Sequence, residues 1–304
     1  MTEQAVSILS YLFVPGDSAR KMEKALESGA GALILDLEDA VGPDAKGAAR
    51  DLVAAFLGKP APMPRLVRVN ALDTGLTEAD IAATAGAGPA GYVLPKAEGR
   101  DDIEALSRLM DRHGAAAECG VLVIATETVR AVRALLSQDW SHPRLTGMAW
   151  GGEDLAADLG ATENRGPDGH YHSPFRFARD AMLFAAKSVG VAAIDSVFTD
   201  FRDEAGLAAE AETAAGGGFD GKLAIHPAQV APIHQAFTPT DAQIDWARRV
   251  VSAMAQAGDG VARLDGKMLD RPHLKQAQAI LKRAEAVDGG RRQAPTARPQ
   301  RAQP

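Results

Sequence analysis

Apolar residues along the chain collect in eight short runs, separated by longer stretches with helical spacing. The runs are ILSYLFVPG (8–16), ALILDLEDA (32–40), RLVRVN (65–70), GYVLPKA (91–97), VLVIATET (121–128), LTGMAWGGED (145–154), VAAIDSVF (191–198) and KLAIHP (222–227). Each is apolar on both faces instead of alternating, as parallel strands covered on both sides are. The segments between them, such as ARKMEKALESG, DDIEALSRLMDRHG and FRFARDAMLFAAKSVG, mostly end in glycine, the usual helix stop. Eight β-then-α units predict an α/β protein built as a closed (β/α)8 TIM barrel. The alternative, an open doubly wound sheet, should carry a glycine-rich phosphate loop after an early strand. VPGDSAR has one glycine and matches neither GxGxxG nor GxxxxGK[ST].

After the eighth run, DAQIDWARRVVSAMAQAG predicts one more helix. RLDGKMLDRPHLKQAQAILKRAEAV then reads as a turn and a helix, with Pro272 in the first helical turn and Asp270 near the cap. The final GGRRQAPTARPQRAQP has no apolar period and is expected to be disordered. The expected division is a catalytic barrel over 1–240, a C-terminal helical extension over 241–288 and a tail over 289–304.

Composition narrows the class. The chain has 304 residues, 46% apolar and 24% charged, enough for a large core without disulfides. Its one cysteine, Cys119, precludes an intrachain bridge, agrees with a reducing cytoplasm and reads as a core-edge residue. The N-terminus lacks the basic segment of a signal peptide, and no run reaches membrane-spanning length, so a cytoplasmic protein without a membrane partner is expected. A net charge of −7 argues against a nucleic-acid surface but leaves room for a polyanionic cofactor held by a few local bases.

A barrel concentrates its chemistry at the C-terminal ends of its strands. Strand two ends in Asp36, Glu38 and Asp39. Strand three carries Arg68 and Asn70, strand four Lys96, strand five Glu127, strand six Glu153 and Asp154, strand seven Asp195 and strand eight His226. So many acids with only Arg68 and Lys96 as bases would repel one another without a cation. Carboxylates, water and substrate oxygen suit Mg2+, whereas no histidine or cysteine cluster has zinc spacing. Glu38 and Asp39 either order metal waters or Arg68, or pair with Lys96 or Arg20 as a structural network. Asp36, Asp195 and His226 read as structural, and Asp158 as solvated or capping. In AWGGEDLAADLG (149–160), Gly151 and Gly152 let backbone approach a ligand, and Glu153 is also an ordinary first-turn helix acid.

The pieces LFVPGDSARKMEKALESGA, LILDLEDAV, LVRVN, LPKAEG, ATET, WGGEDLAADLG, AIDSVF and GKLAIHPAQV occur in order from about residue 11 to 230. Together they resemble the HpcH/HpaI aldolase–citrate lyase β-subunit superfamily, in its CitE-like and malyl-CoA lyase-like branch. The resemblance implies a (β/α)8 barrel that assembles as a homotrimer or hexamer. It implies reversible Claisen-type cleavage of a 3-hydroxyacyl-CoA, such as malyl-, citramalyl- or citryl-CoA, to acetyl-CoA and a 2-keto acid. It places Mg2+, or Mn2+ in its stead, on Glu127 and Asp154, and the keto-acid carboxylate on Arg68 with help from backbone N–H groups near Glu153 and Asp154. Glu38, Asp39 and Lys96 stand behind these. DGKMLDRPHLKQAQ resembles a C-terminal lid in which an aspartate, here Asp270, reaches a neighbouring subunit's site as the base. The same site could hydrolyse the thioester after condensation, giving net malate synthase or malyl-CoA thioesterase activity. A CoA-independent, metal-dependent keto-acid aldolase is a further alternative, but LDLEDAV lacks the histidine that branch favours. A scaffold that kept only the barrel would show degraded ligands, and Arg68, Glu127 and Asp154 are all present.

Overall fold

A computed structural model describes residues 8–257 and 260–293. Its first strands are β1 (Ser10–Pro15), β2 (Ala32–Asp36), β3 (Arg65–Arg68) and β4 (Gly91–Leu94). They are followed by β5 (Gly120–Ile124), β6 (Leu145–Ala149), β7 (Ala192–Asp195) and β8 (Gly221–Ala224). Each pairs in parallel with the next, and β1 pairs with β8, closing the barrel that the eight apolar runs predict. The helices between them are α1 (Ala19–Ala25), α2 (Lys46–Leu57), α3 (Thr77–Thr84), α4 (Arg100–Arg112), α5 (Val129–Leu135), α6 (Glu153–Leu159), α7 (Ser173–Val189) and α8 (Glu204–Gly217). No helix among the described residues is long and apolar enough to cross a membrane. Cys119 is buried ahead of β5, in the core-edge position expected of it.

Alternate residues of the strands fill the interior. Ile34, Leu66, Val93, Leu122, Ile124, Ala149, Ile194 and Leu223 belong to one buried cluster. The period of two then carries the next inward positions of β2 and β3 to Asp36 and Arg68, which are register partners on adjacent strands. The same period turns Trp150, Asp195 and Lys222 to the outer side of the wall, since Ala149, Ile194 and Leu223 face in.

The chain divides into two compact units, one of residues Ile8–His234 and the other of the described residues from Gln235 onward. The division falls within α9 (Val230–Phe237). The second unit contains α10 (Asp241–Ala257), β9 (Ala262–Leu264), β10 (Lys267–Leu269) and α11 (Arg271–Gln293). Ala247, Val250 and Met254 of α10 pack with Ala262, Leu269 and Ala277 into a core of its own. The segment read as a plain turn is a β-hairpin. Asp265 and Gly266 take φ of 51° and 77°, as an Asp-Gly type I′ turn requires. Its three-residue strands are too short for a period to show in sequence. α11 runs to Gln293, so residues 289–293 of the expected tail are helical, and 294–304, like 1–7, lie outside the described residues.

Candidate active site

At the C-terminal rim of the barrel lies a cavity of about 430 Å³. Asp36, Asp39, Glu127, Glu153 and Asp154 line its charged side together with Arg68. Phe13, Ile124, Leu223 and Val197 form an apolar wall.

Arg68 is the best-anchored group. Its Nε and Nη2 donate to the two oxygens of Asp36 at 2.7 and 2.6 Å, a side-on fork fixed by the strand register. Nη1 lies 2.8 Å from Glu38 Oε2, an ion-pair distance without hydrogen-bond alignment, and 3.5 Å from Asp39. The guanidinium also sits 4.8 Å over the Phe13 ring. Burial opposes its charge, but Asp36, Glu38 and Asp39 outweigh burial and hold the pKa above the usual arginine value. Asp36 in turn accepts the backbone N–H groups of Glu38 and Ala40 at 2.9 and 3.2 Å, shaping the loop after β2. It is thus a partner of Arg68, consistent with its structural reading.

Lys96 follows β4 with φ of 53°, a left-handed backbone that costs a non-glycine residue about 1 kcal/mol or more. This conformation brings two donors to the acids. Its N–H donates to Glu127 Oε2 at 2.5 Å, and its ammonium lies 2.6 Å from Glu38 and 3.3 Å from Asp154. Of the two network partners considered for Glu38, the contact is with Lys96 and not Arg20. Burial pushes the Glu38 carboxyl up, with Arg68 and Lys96 pulling the other way.

Glu127 ends the β5 run as ATET, buried at 4% exposure. Burial first, and the charge of Asp154 second, push its carboxyl up to about 8. Thr126 Oγ1 accepts the Gly151 N–H at 2.8 Å and donates to the Gly151 carbonyl at 3.0 Å, tying the ends of β5 and β6 together. Gly151 and Gly152 are close-packed. A Cβ on Gly151 would stand 3.3 Å from Glu127 Cγ, and one on Gly152 would stand 3.2 Å from the Trp150 ring and 3.4 Å from Tyr171. Asp154 and Glu153 open α6, whose N-cap Gly152 supplies no side-chain cap. Glu153 accepts from Asn164 at 2.8 Å, and the exposed Asp158 accepts the Val129 N–H at the start of α5 at 2.6 Å.

The remaining strand-end residues have structural partners. Asn70 donates to Asp80 and to the Leu37 carbonyl. His226 accepts the Ala228 N–H and stacks on Phe201. Asp195 is enclosed by Lys222, Arg179 and Trp150, and although burial opposes its charge, the two cations and the Trp150 N–H hold its carboxyl below the usual range. In the second unit, Asp270 precedes α11, and its carboxylate lies 2.5 Å from His273 Nδ1.

Glu127 and Asp154 fit a hard divalent cation. Both are oxygen donors, they repel each other, and burial outweighs the Lys96 N–H and ammonium that offset the charge of the Glu127 carboxylate. Among the described residues, no three or more His, Cys, Asp or Glu side chains are grouped to hold a metal. The donor set therefore suits an ion that keeps waters or takes substrate oxygens, as Mg2+ does.

A family model described as HpcH/HpaI aldolase/citrate lyase matches residues 9–227. The chain is 36% identical over 292 residues to a (3S)-malyl-CoA thioesterase of Cereibacter sphaeroides, covering 94% of this chain and 98% of that protein. It is 34% identical over 296 residues to the mitochondrial citramalyl-CoA lyase of Rattus norvegicus, covering 91% and 86%. Among solved structures, CitE from Mycobacterium tuberculosis in complex with magnesium, acetoacetate and coenzyme A superposes with a TM-score of 0.79 at 34% identity. That match covers 93% of this chain and 100% of the other.

Proposed function

The chain belongs to the HpcH/HpaI aldolase/citrate lyase family, and we propose that it is a Mg2+-dependent carbon–carbon lyase acting on a 3-hydroxyacyl-CoA. The products of cleavage are acetyl-CoA and a 2-keto acid. The observation that carries this reading is the meeting of Glu127, Asp154 and Arg68 in one cavity at the barrel rim. A solved relative that holds magnesium, acetoacetate and coenzyme A supports the same choice of ligands.

Glu127 and Asp154 would hold the metal, which when bound supplies a Lewis acid for the keto oxygen of the substrate. Arg68 binds and orients the keto-acid carboxylate. Its Nε edge is committed to Asp36, so the incoming carboxylate meets Nη1, which makes no aligned hydrogen bond to Glu38. Two groups fixed on adjacent strands thereby set the substrate's position before reaction, which is where orientation lowers the barrier. Backbone N–H groups at Glu153 and Asp154 add donors for the carboxylate. Lys96 and Glu38 keep Asp154 and Arg68 in place. In the condensing direction a base must take a proton from the acetyl methyl group. Asp270 of a neighbouring subunit is assigned that role, with the C-terminal unit as a lid that excludes water in a homotrimer or hexamer.

Thioester hydrolysis after condensation is the second reading, favoured by the similarity to a malyl-CoA thioesterase. One experiment addresses both. Enzyme, Mg2+ and acetyl-CoA are incubated separately with glyoxylate, pyruvate and oxaloacetate, and acyl-CoA formation and free CoA release are both measured. Condensation with one keto acid, abolished by EDTA, is expected. Free CoA in step with condensation selects the hydrolytic reading, and no turnover with any keto acid, or turnover indifferent to EDTA, refutes the proposal.

A further inference from the structure

Behind the barrel wall, side chains from β6, β7, β8, α8 and the loop after α6 form a closed circuit. Trp150 Nε1 donates to Asp195 Oδ1 at 2.7 Å, and Lys222 Nζ donates to Asp195 Oδ2 at 2.7 Å. The same ammonium donates to Glu210 Oε1 at 2.9 Å, and Glu210 Oε2 lies 2.7 Å from Arg165 Nη2. Arg165 stacks over the Tyr171 ring at 3.6 Å, and Tyr171 meets Trp150 edge to face at 4.9 Å, which closes the ring.

Arg165 and Tyr171 are bridge partners across a small hairpin, tied further by Gly166 N–H to the His170 carbonyl and His172 N–H to the Asn164 carbonyl, both at 2.9 Å. The hairpin touches the Trp150–Glu153 turn at three points. Tyr171 packs on Trp150, Tyr171 lies against Gly152, and Asn164 donates to Glu153. Lys222 and Asp195 are fully or almost fully buried, and an apolar filling of such a site is often at least as stable as an ion pair. What the ring supplies instead is fixed orientation. Arg165 is the piece that no other residue type replaces. One planar group covers the Tyr171 face, pairs with Glu210 and donates to the Gly169 carbonyl at 2.9 Å. A lysine ammonium cannot make all three contacts at once.

We propose that Arg165 is a positioning residue: by clamping the hairpin onto the Trp150–Glu153 turn, it sets where Asp154 stands relative to Glu127. The inference rests on the reading of Glu127 and Asp154 as metal ligands. If Tyr171 shifts, the space beside Gly152 opens and the first turn of α6 can move away from β5. The keto-acid KM should then rise together with the metal dissociation constant.

The test is Mn2+ binding to the metal-free full-length protein, followed by electron paramagnetic resonance, for the wild type, Arg165→Met, Arg165→Lys and Tyr171→Leu. Arg165→Met and Tyr171→Leu are each expected to weaken Mn2+ binding by about tenfold or more, the usual effect of losing an outer partner of a metal site, with Arg165→Lys in between. A residue that only stabilises the fold would lower the melting temperature and leave Mn2+ affinity alone. Affinities within about twofold of wild type in folded Arg165→Met and Tyr171→Leu overturn the proposal. If Arg165→Met does not fold, Tyr171→Leu decides by the same criterion. If the wild type itself binds no Mn2+, the metal reading fails and this inference falls with it.

Discussion

Replacing Glu127 by glutamine should destroy metal binding and yet stabilise the metal-free protein. The Glu127 carboxyl is buried beside Asp154, and its pKa is pushed up from 4.5 to about 8. In the unfolded chain the group ionises at its ordinary value; in the folded, metal-free chain it stays protonated until the pH nears 8. The fold therefore binds the extra proton, and its stability falls as pH rises between those two values. At pH 7 the span is about 2.5 pH units at roughly 1.4 kcal/mol each, a penalty on the order of 3 kcal/mol. Glutamine carries no charge to desolvate and keeps an acceptor for the Lys96 N–H. In EDTA at pH 7, Glu127→Gln should melt roughly 6–12 °C above wild type, given about 2–4 °C per kcal/mol for a domain of this size. Its advantage should shrink toward pH 4.5 and vanish below it, where Glu127 is protonated in both states. Added Mg2+ should raise the wild-type melting temperature and leave the variant unchanged, because an ion that binds only the fold stabilises it by mass action. The assay is thermal unfolding by circular dichroism across this pH range, with EDTA and with Mg2+. A variant no more stable than wild type in EDTA at neutral pH, or an advantage that does not shrink with acid, would show the reasoning to be wrong.

Three further outcomes are expected. Arg68→Lys keeps the charge but loses the fork to Asp36, so steady-state kinetics should show kcat/KM down about 100-fold, chiefly through the keto-acid KM, as loss of a charged hydrogen bond worth roughly 2–3 kcal/mol implies; an unchanged KM would exclude a carboxylate role. Lys222→Met leaves Asp195 and Glu210 without their shared base and should cost roughly 3–5 kcal/mol in urea unfolding, whereas less than about 1 kcal/mol would mean water already reaches the pair. For Asp270, mixing inactive Asp270→Ala chains with inactive Arg68→Ala chains should restore part of the activity, since some sites in mixed oligomers would hold both residues; no recovery on verified subunit exchange would remove Asp270 from the neighbouring site.

The barrel was legible because its strands are buried on both faces. Eight apolar runs with helical spacers leave little else for the chain to form, and each of β1 through β8 overlaps its run, with β5 and β8 starting one residue earlier at Gly120 and Gly221. The rim acids were legible by position, although the same signal also marks Asn70 and Asp195, whose partners are structural. What sequence could not show was pairing. Asp36 reads as structural from sequence but without a partner, and it is the register that sets it beside Arg68 and makes it that residue's anchor. The left-handed backbone of Lys96 has no signature in LPKA, because lysine gives none of the warning that glycine would. Trp150, Arg165, Tyr171 and Lys222 were passed over for a related reason. They are far apart in sequence and form one structure only after β6, β7 and β8 are side by side. The one available signal was Lys222, a charge inside an otherwise apolar strand, which demands a buried partner.

The charged side of the cavity also bears on how a new substrate preference could arise. Asp36, Arg68, Glu38, Lys96 and Asp154 form an unbroken chain of contacts across the rim, with Glu127 held by the Lys96 backbone. Substitutions within such a chain do not add, because each one orphans a neighbour that the next must then accommodate. A single change there meets a deep fitness valley, and a tolerated change needs its partner to alter with it. Phe13, Ile124, Val197 and Leu223 on the opposite wall share no charges with this chain apart from the ring of Phe13 beneath Arg68. Diversification of acceptor size by single steps is therefore more open at the partly buried Val197 than along the acids, while Ile124 and Leu223 also pack the barrel core.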